Sequence, residues 1–154
     1  MEKDTIEERV WQCLFEPTWG PCRNAHFLVP KKNGKYHFII SAVSMNRHTP
    51  QDFGIPPKVE EVSEVFAGLL TSYLIDFPSG YNQKMLHEDC RDYMVFLTMQ
   101  CMYGPTRLVQ GATNSVSAFV RVSRKILNAH LGSIAEMFVD NVGVKGPNSQ
   151  YRGE

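Results

Sequence analysis

An α+β fold is predicted for this 154-residue chain by three features of its sequence. Two β-rich pairs of segments, near residues 26–40 and 134–144, each enclose a turn signal. A strand over Ser72–Asp76 follows a stretch with helical spacing, and a long amphipathic helix lies between that strand and the last hairpin. The expected architecture is an antiparallel sheet backed by helices near residues 58–67 and 114–131.

Residues 5–14 read as a short helix, broken by Phe15-Glu16-Pro17-Thr18-Trp19-Gly20-Pro21, where two prolines and a glycine oppose helical geometry. His26-Phe27-Leu28-Val29 and Tyr36-His37-Phe38-Ile39-Ile40 form the first hairpin, with Asn33-Gly34 as its turn signal. Pro56-Pro57 precedes a helix over Lys58–Ala67, in which Val59, Val62, Val65 and Phe66 recur at helical spacing and Gly68 is the stop. The strand Ser72–Asp76 ends at Pro78-Ser79-Gly80, a second apolar stretch covers Tyr93–Thr98, and Met102-Tyr103-Gly104-Pro105 reads as a turn. In the long helix, Val116, Phe119, Val120, Leu127 and Leu131 share one stripe, Thr113 or Asn114 is the N-cap, and Gly132 terminates it. Ile134–Val139 and Val142–Val144 then flank Asp140-Asn141, read as a tight turn because both residues tolerate positive φ. The tail after Gly146-Pro147 is polar and expected to be loose.

With 43% hydrophobic and 21% charged residues, the chain is long enough to bury a core, and its composition excludes disorder. No run approaches the length of a membrane span, and Met1-Glu2-Lys3-Asp4 lacks the features of a signal peptide. An intracellular protein, cytoplasmic or nuclear and with no membrane partner, is therefore the expectation. Cys13, Cys22, Cys90 and Cys101 show neither CxxC spacing nor a disulfide framework. The net charge of zero conceals segregation: residues 21–51 carry five Lys/Arg and no Asp/Glu, and residues 93–135 carry four and none. Two readings stand. Either these are solvated faces, or Lys31, Lys32, Lys35, Arg121, Arg124 and Lys125 contact a polyanion.

Three local clusters bear chemistry, and each has an ordinary structural explanation. Asp76 ends an apolar strand, as a turn-forming carboxylate or as one facing a cation. Asp140 sits in a hairpin turn, where Asp-Asn is a common pair. Gln110-Gly111 precedes the long helix, as a plain loop or as backbone free to approach a phosphate. Their order favours the functional readings: two strand-borne acids hold a divalent metal for in-line phosphoryl transfer while a helix borders the nucleotide.

At these residues the chain resembles the reverse transcriptase of gypsy-type LTR retrotransposons, over its fingers and palm. Tyr73-Leu74-Ile75-Asp76-Phe77-Pro78-Ser79-Gly80-Tyr81-Asn82-Gln83 resembles Y-S-L-L-D-L-F-S-G-Y-D-Q, and Leu108-Val109-Gln110-Gly111-Ala112-Thr113-Asn114-Ser115 resembles L-P-Q-G-A-T-N-S. Phe138-Val139-Asp140-Asn141-Val142 resembles the F/Y-x-D-D box, and Phe27-Leu28-Val29-Pro30-Lys31-Lys32-Asn33-Gly34-Lys35-Tyr36 resembles F-L-V-x-K-K-D-G-K-Y. The match runs in order from about Trp19 to Pro147. The resemblance implies a polymerase-like palm (about 71–83 and 109–147), a discontinuous fingers subdomain (about 1–70 and 84–108) and a loose tail over 148–154. It implies RNA-directed DNA polymerase chemistry with Mg²⁺ or Mn²⁺ on Asp76 and Asp140, and a template-primer of RNA or DNA with dNTP as partners. Phe77 would lie at that site, Tyr81 would be the steric gate against a ribose 2′-hydroxyl, Gln110 and Gly111 would meet the nucleotide, and Lys31 or Lys32 its phosphates.

The pattern breaks at functional places. Asn141 stands where the family has its second hairpin aspartate, so one anionic ligand is lost. His37, Ser41 and Val43 occupy positions expected to hold arginine, a polar or acidic residue, and arginine, which weakens the triphosphate clamp. Val109 replaces a proline, and Met99 and Cys101 replace proline and glycine. The chain also ends soon after the hairpin, with no room for a thumb or RNase H domain, so processive synthesis by the chain alone is not expected. Three function classes follow: a weakened polymerase domain, an inactive remnant that binds nucleic acid, and a protein-interaction module that self-associates through exposed apolar surface.

Overall fold

The structure is a computed structural model that describes residues 2–32, 34, 36–52, 54 and 58–146. In chain order its elements are α1 (Glu2–Trp11), β1 (Phe15–Pro17), β2 (His26–Pro30), β3 (Tyr36–Ile40), α2 (Val43–Asn46), α3 (Val59–Phe66), β4 (Ser72–Asp76), α4 (Glu88–Arg91), β5 (Phe96–Leu97), β6 (Met102–Pro105), α5 (Ser115–Leu127), β7 (Ala135–Phe138) and β8 (Asn141–Lys145). They divide into two compact units, the first from Met1–Gln51 with Tyr81–Ser115, the second from Asp52–Gly80 with Val116–Glu154. Among the described residues no helix is long and apolar enough to cross a membrane.

In the first unit, the β-rich runs β2 and β3 pair antiparallel from His26↔Ile40 to Pro30↔Tyr36. Gly34 takes φ +76 in the connection; Asn33 and Lys35, and with them part of the expected turn and one expected nucleic-acid contact, lie outside the described residues. A second sheet, ordered β1-β6-β5, was not evident from the sequence. Phe15–Pro17, expected as a break, is an edge strand against β6, where a terminal proline is tolerated. Met102–Pro105, expected as a turn, is the central strand. The turn itself falls over Thr98–Cys101, where the Thr98 hydroxyl accepts the Gln100 and Cys101 N–H groups. Packing overrides the glycine and proline signals here. Phe15, Phe38 and Phe96 come from three strands and meet with ring centroids 5.0–5.2 Å apart. Burying each is worth roughly 1.5–3 kcal/mol. The first helix covers Glu2–Trp11 rather than 5–14, because Cys13, at φ 55, turns the chain so that Phe15 enters this cluster.

The second unit contains the expected sheet and both expected helices. Its strand order is β4-β8-β7, antiparallel throughout. Val116, Val120 and Leu127 of α5 pack with Ala135, Met137, Val142 and Val144. Gly143 points to the opposite face, where an added Cβ would meet the Phe66 ring. Since neighbouring strand residues alternate between faces, α3 and α5 cover opposite sides of the sheet. The expected helix start at 58 and stop at Gly68 agree with α3 to within a residue or two, and Gly68 has φ +77. Helix α5 ends at Leu127, short of Leu131, and the chain beyond it forms a closing turn in which the His130 and Leu131 N–H groups share the Leu127 carbonyl. Gly132, at φ +82, belongs to the turn that follows.

Candidate functional site

Strand β4 ends at Asp76, and its Cα partner is Asn141, the first residue of β8. Asn141 is paired on its other side with Phe138. Residues directly opposite in an antiparallel sheet share a face with Cβ atoms about 5 Å apart, so Asp76, Asn141 and Phe138 point the same way. The hairpin tip closes on this group: the Phe77 N–H donates to the Asp140 carbonyl at 3.2 Å. Asn141 Nδ2 donates to Asp140 Oδ1 at 3.3 Å. Asp76 is exposed, whereas Phe77, Asp140 and Asn141 are half-buried.

The register corrects the expected turn. Phe138↔Asn141 is a paired position, so the two-residue loop is Val139-Asp140 and Asn141 already belongs to the strand. The positive φ falls on Val139, at 54°, and neither Asp140 nor Asn141 needs one. This is the pattern of a type II′ turn, whose first loop residue is usually glycine. A β-branched residue there is strained, a cost of roughly 1–2 kcal/mol.

Gly80 explains the second half of the Asp76 segment. A Cβ at Gly80 would lie 2.7 and 2.8 Å from the Phe119 ring, and 3.1 Å from Phe77 Cβ. Phe77 and Phe119 meet edge to face at 5.8 Å. The residue after Asp76 is thus held between α5 and the hairpin tip, and only glycine leaves room for the chain to turn there. Neither Phe119 nor Phe66 stood out as a site-supporting residue in the sequence, since each reads as a generic apolar position on a helix.

On the Asp76 face, between α3 and the sheet, a cavity of about 370 Å³ is lined by residues that include Val62, Phe66, Leu74, Phe138, Asn141 and Gly143. Asn141 lines it, Asp76 is the cross-strand partner of Asn141, and Asp140 accepts the Asn141 Nδ2 hydrogen bond, a set of two carboxylates and one amide oxygen. Hard oxygens of this kind suit a divalent cation such as Mg²⁺, with one negative charge fewer than three acids would supply. Among the described residues no three His, Cys, Asp or Glu side chains cluster as a metal site.

The other residues expected to act fall in two places. In the first unit, Gln110 is exposed at a turn completed by Gly111, whose φ is +91. Tyr81 is half-buried in the 3-10 turn Gly80–Gln83, and Lys31 and Lys32 are exposed. The His37 imidazole is held below its ordinary value, first by burial and then by the positive charges of Lys31 and Arg9, against an opposing hydrogen bond with Gln110. In the second unit, Arg121 is ion-paired with Asp52. Arg124 lies 3.6 Å from Glu136. Two of the three α5 cations are therefore partly neutralised, and Lys125 makes no ion pair among the described residues.

No protein-family model matches the chain. It is 25% identical over 146 residues to the Retrovirus-related Pol polyprotein from transposon opus of Drosophila melanogaster, covering 89% of this chain and 14% of that protein. It is 31% identical over 132 residues to the Gag-Pro-Pol polyprotein of Human T-cell leukemia virus 2, covering 81% of this chain and 9% of the polyprotein. The fold matches the crystal structure of Prototype Foamy Virus protease-reverse transcriptase with a TM-score of 0.81 at 17% identity, over 92% of this chain and 19% of the viral one. The foamy viral enzyme in complex with an RNA/DNA hybrid matches with a TM-score of 0.79 at 17% identity, over 94% and 19% of the two chains. The chain thus spans under a fifth of each of these relatives.

Proposed function

We infer that this homologue of retrotransposon and retroviral Pol polyproteins, which has the fold of a reverse transcriptase, is a fingers and palm region of gypsy-type origin with weakened polymerase chemistry. The observation that carries this reading is the convergence of strand end and hairpin tip: Asp76 faces Asn141 in register while the Phe77 N–H binds the Asp140 carbonyl. Asp76 and Asp140 are the residues that would hold Mg²⁺ or Mn²⁺, with the Asn141 amide oxygen and the Phe77 carbonyl as further oxygen donors. When bound, such a cation stabilises charge on a transferring phosphoryl group and on the attacking and leaving oxygens.

The chain's own residues then divide the remaining work. Tyr81 acts as the steric gate to a ribose 2′-hydroxyl, Gln110 and Gly111 contact the dNTP, and Lys31 and Lys32 meet its phosphates. Lys35, Arg121, Arg124 and Lys125 are the contacts to an RNA or DNA template-primer, weakened at Arg121 and Arg124 by their ion pairs. Asn141 supplies an oxygen without a charge, and His37 and Val43 supply no fixed cation to the triphosphate. Loss of one ionic ligand is expected to slow the chemistry on the order of a hundredfold or more. Primer extension on a homopolymer template, with Mg²⁺ or Mn²⁺, tests this. The 154-residue chain should extend only weakly and its Asp76→Asn variant not at all, and robust extension by the unmodified chain overturns the weakened-centre reading.

A second reading, self-association, is favoured by one observation. Edge strand β4 leaves Tyr73, Leu74 and Ile75 59%, 74% and 53% exposed, and exposed apolar edges pair with other chains. Light scattering should then show a dimer that Leu74→Lys disperses; a monomer at all concentrations removes this reading.

A further inference from the structure

We propose that Asn46 is a positioning residue that fixes the Gln110-Gly111 turn and so sets where Gln110 meets the nucleotide; this rests on the nucleotide role proposed above for Gln110. Asn46 is the last residue of α2, and its own N–H is bonded to the Ala42 carbonyl at 2.8 Å. Its side-chain amide uses both ends on one distant segment. Nδ2 donates to the Gly111 carbonyl at 2.8 Å, and Oδ1 accepts the Thr113 N–H at 2.8 Å. The two bonds bracket residues 111–113 and cross 65 and 67 positions of sequence.

Packing does not do this work at the turn itself. Gly111 has φ +91, with nothing within 4 Å of where a Cβ would stand. Val109 and Ala112 pack against the first unit's core on either side, so Gln110 projects from a short arc anchored at its flanks and bonded to Asn46 across its far limb. The chemistry demanded of position 46 is specific. A donor and an acceptor must be presented on two separate atoms of one short side chain, as the asparagine amide does and a single hydroxyl or a carboxylate does not. Aspartate keeps the acceptor for Thr113 but turns a carboxylate toward the Gly111 carbonyl, and alanine keeps neither bond.

The test compares the unmodified chain with Asn46→Ala, Asn46→Asp and Gln110→Ala, by hydrogen exchange and by calorimetric titration with dTTP in MgCl₂. Asn46→Ala should lower protection of the Thr113 amide about tenfold while the Phe38 amide in β3 keeps its protection. Asn46→Asp should retain Thr113 protection, and both variants should bind dTTP about fivefold or more weakly. If the alanine variant does not fold, the aspartate variant carries the test through its split between retained protection and weakened binding. Unchanged Thr113 protection in Asn46→Ala, or an equal loss at Phe38, overturns the proposal. So does unchanged dTTP affinity in both Asn46 variants when Gln110→Ala weakens binding. If Gln110→Ala binds as the unmodified chain does, or that chain binds no dTTP, the underlying nucleotide reading is what fails.

Discussion

Replacing Gly80 with alanine should destabilise the second unit through one named contact. The added Cβ would sit 2.7 and 2.8 Å from two carbons of the buried Phe119 ring, whereas non-bonded carbons rest about 3.5–4.0 Å apart. Backbone strain is not the issue, because Gly80 is not among the glycines with positive φ. The ring cannot simply swing away, since Phe119 is 6% exposed and meets Phe77 edge to face. Overpacking of this kind costs about 1–3 kcal/mol, and at this chain size each kcal/mol shifts the melting temperature by about 2–4 °C. Thermal denaturation should therefore place Gly80→Ala about 2–12 °C below the unmodified chain. Phe119→Leu removes the obstructing edge, so the double variant should recover part of the loss, with a coupling of about 1 kcal/mol. A Gly80→Ala variant as stable as the parent, or strict additivity in the cycle, would refute the reasoning.

Other outcomes follow from single groups. Val139→Gly should raise stability by about 1 kcal/mol by relieving the positive φ; a loss would show that the side chain's packing outweighs its strain. His37 is held below its ordinary value by burial, Lys31 and Arg9, so the unfolded chain binds the proton more readily. Its contribution to stability is complete above about pH 6.5 and lost as pH falls through the lowered folded value; His37→Gln should flatten that part of the melting profile, and an unchanged profile would contradict it. Binding to single-stranded RNA should be weak, because Arg121 and Arg124 are paired with acids. Lys31, Lys32, Lys35 and Lys125 leave about four phosphate contacts and a log–log salt slope near about −3, and salt-insensitive binding would contradict this.

The second unit was legible in sequence because its elements are locally self-consistent. In α5 the apolar stripe, in β4 the apolar run and in Val142–Val144 the hairpin arm all specify their own partners. What failed there was a turn rule: Asp and Asn tolerate positive φ, yet cross-strand register placed the left-handed residue at Val139. The first unit was less legible because β1 and β6 are short and rich in proline and glycine. They become strands only once Phe15 and Phe96 find each other, 81 residues apart. Asp76 and Asp140 were singled out as candidates by their order along the chain. Asn46 was not, since a lone asparagine after Ser44-Met45 carries no signal until the segment it binds is brought to it.

In the proposed function, Asp76, Asp140 and Asn141 form one cation site that lacks a charge. Calorimetric titration of Mn²⁺ into the unmodified chain, Asn141→Asp and Asp140→Asn measures this directly. An added unit charge about 4 Å from a dication is worth about 2 kcal/mol even at the dielectric of water, about thirtyfold in affinity. Asn141→Asp should therefore bind Mn²⁺ at least about tenfold more tightly than the unmodified chain, whose affinity should be millimolar or weaker, and Asp140→Asn should abolish binding. Equal affinity in all three proteins would remove the strand end and hairpin tip from metal chemistry and contradict the account.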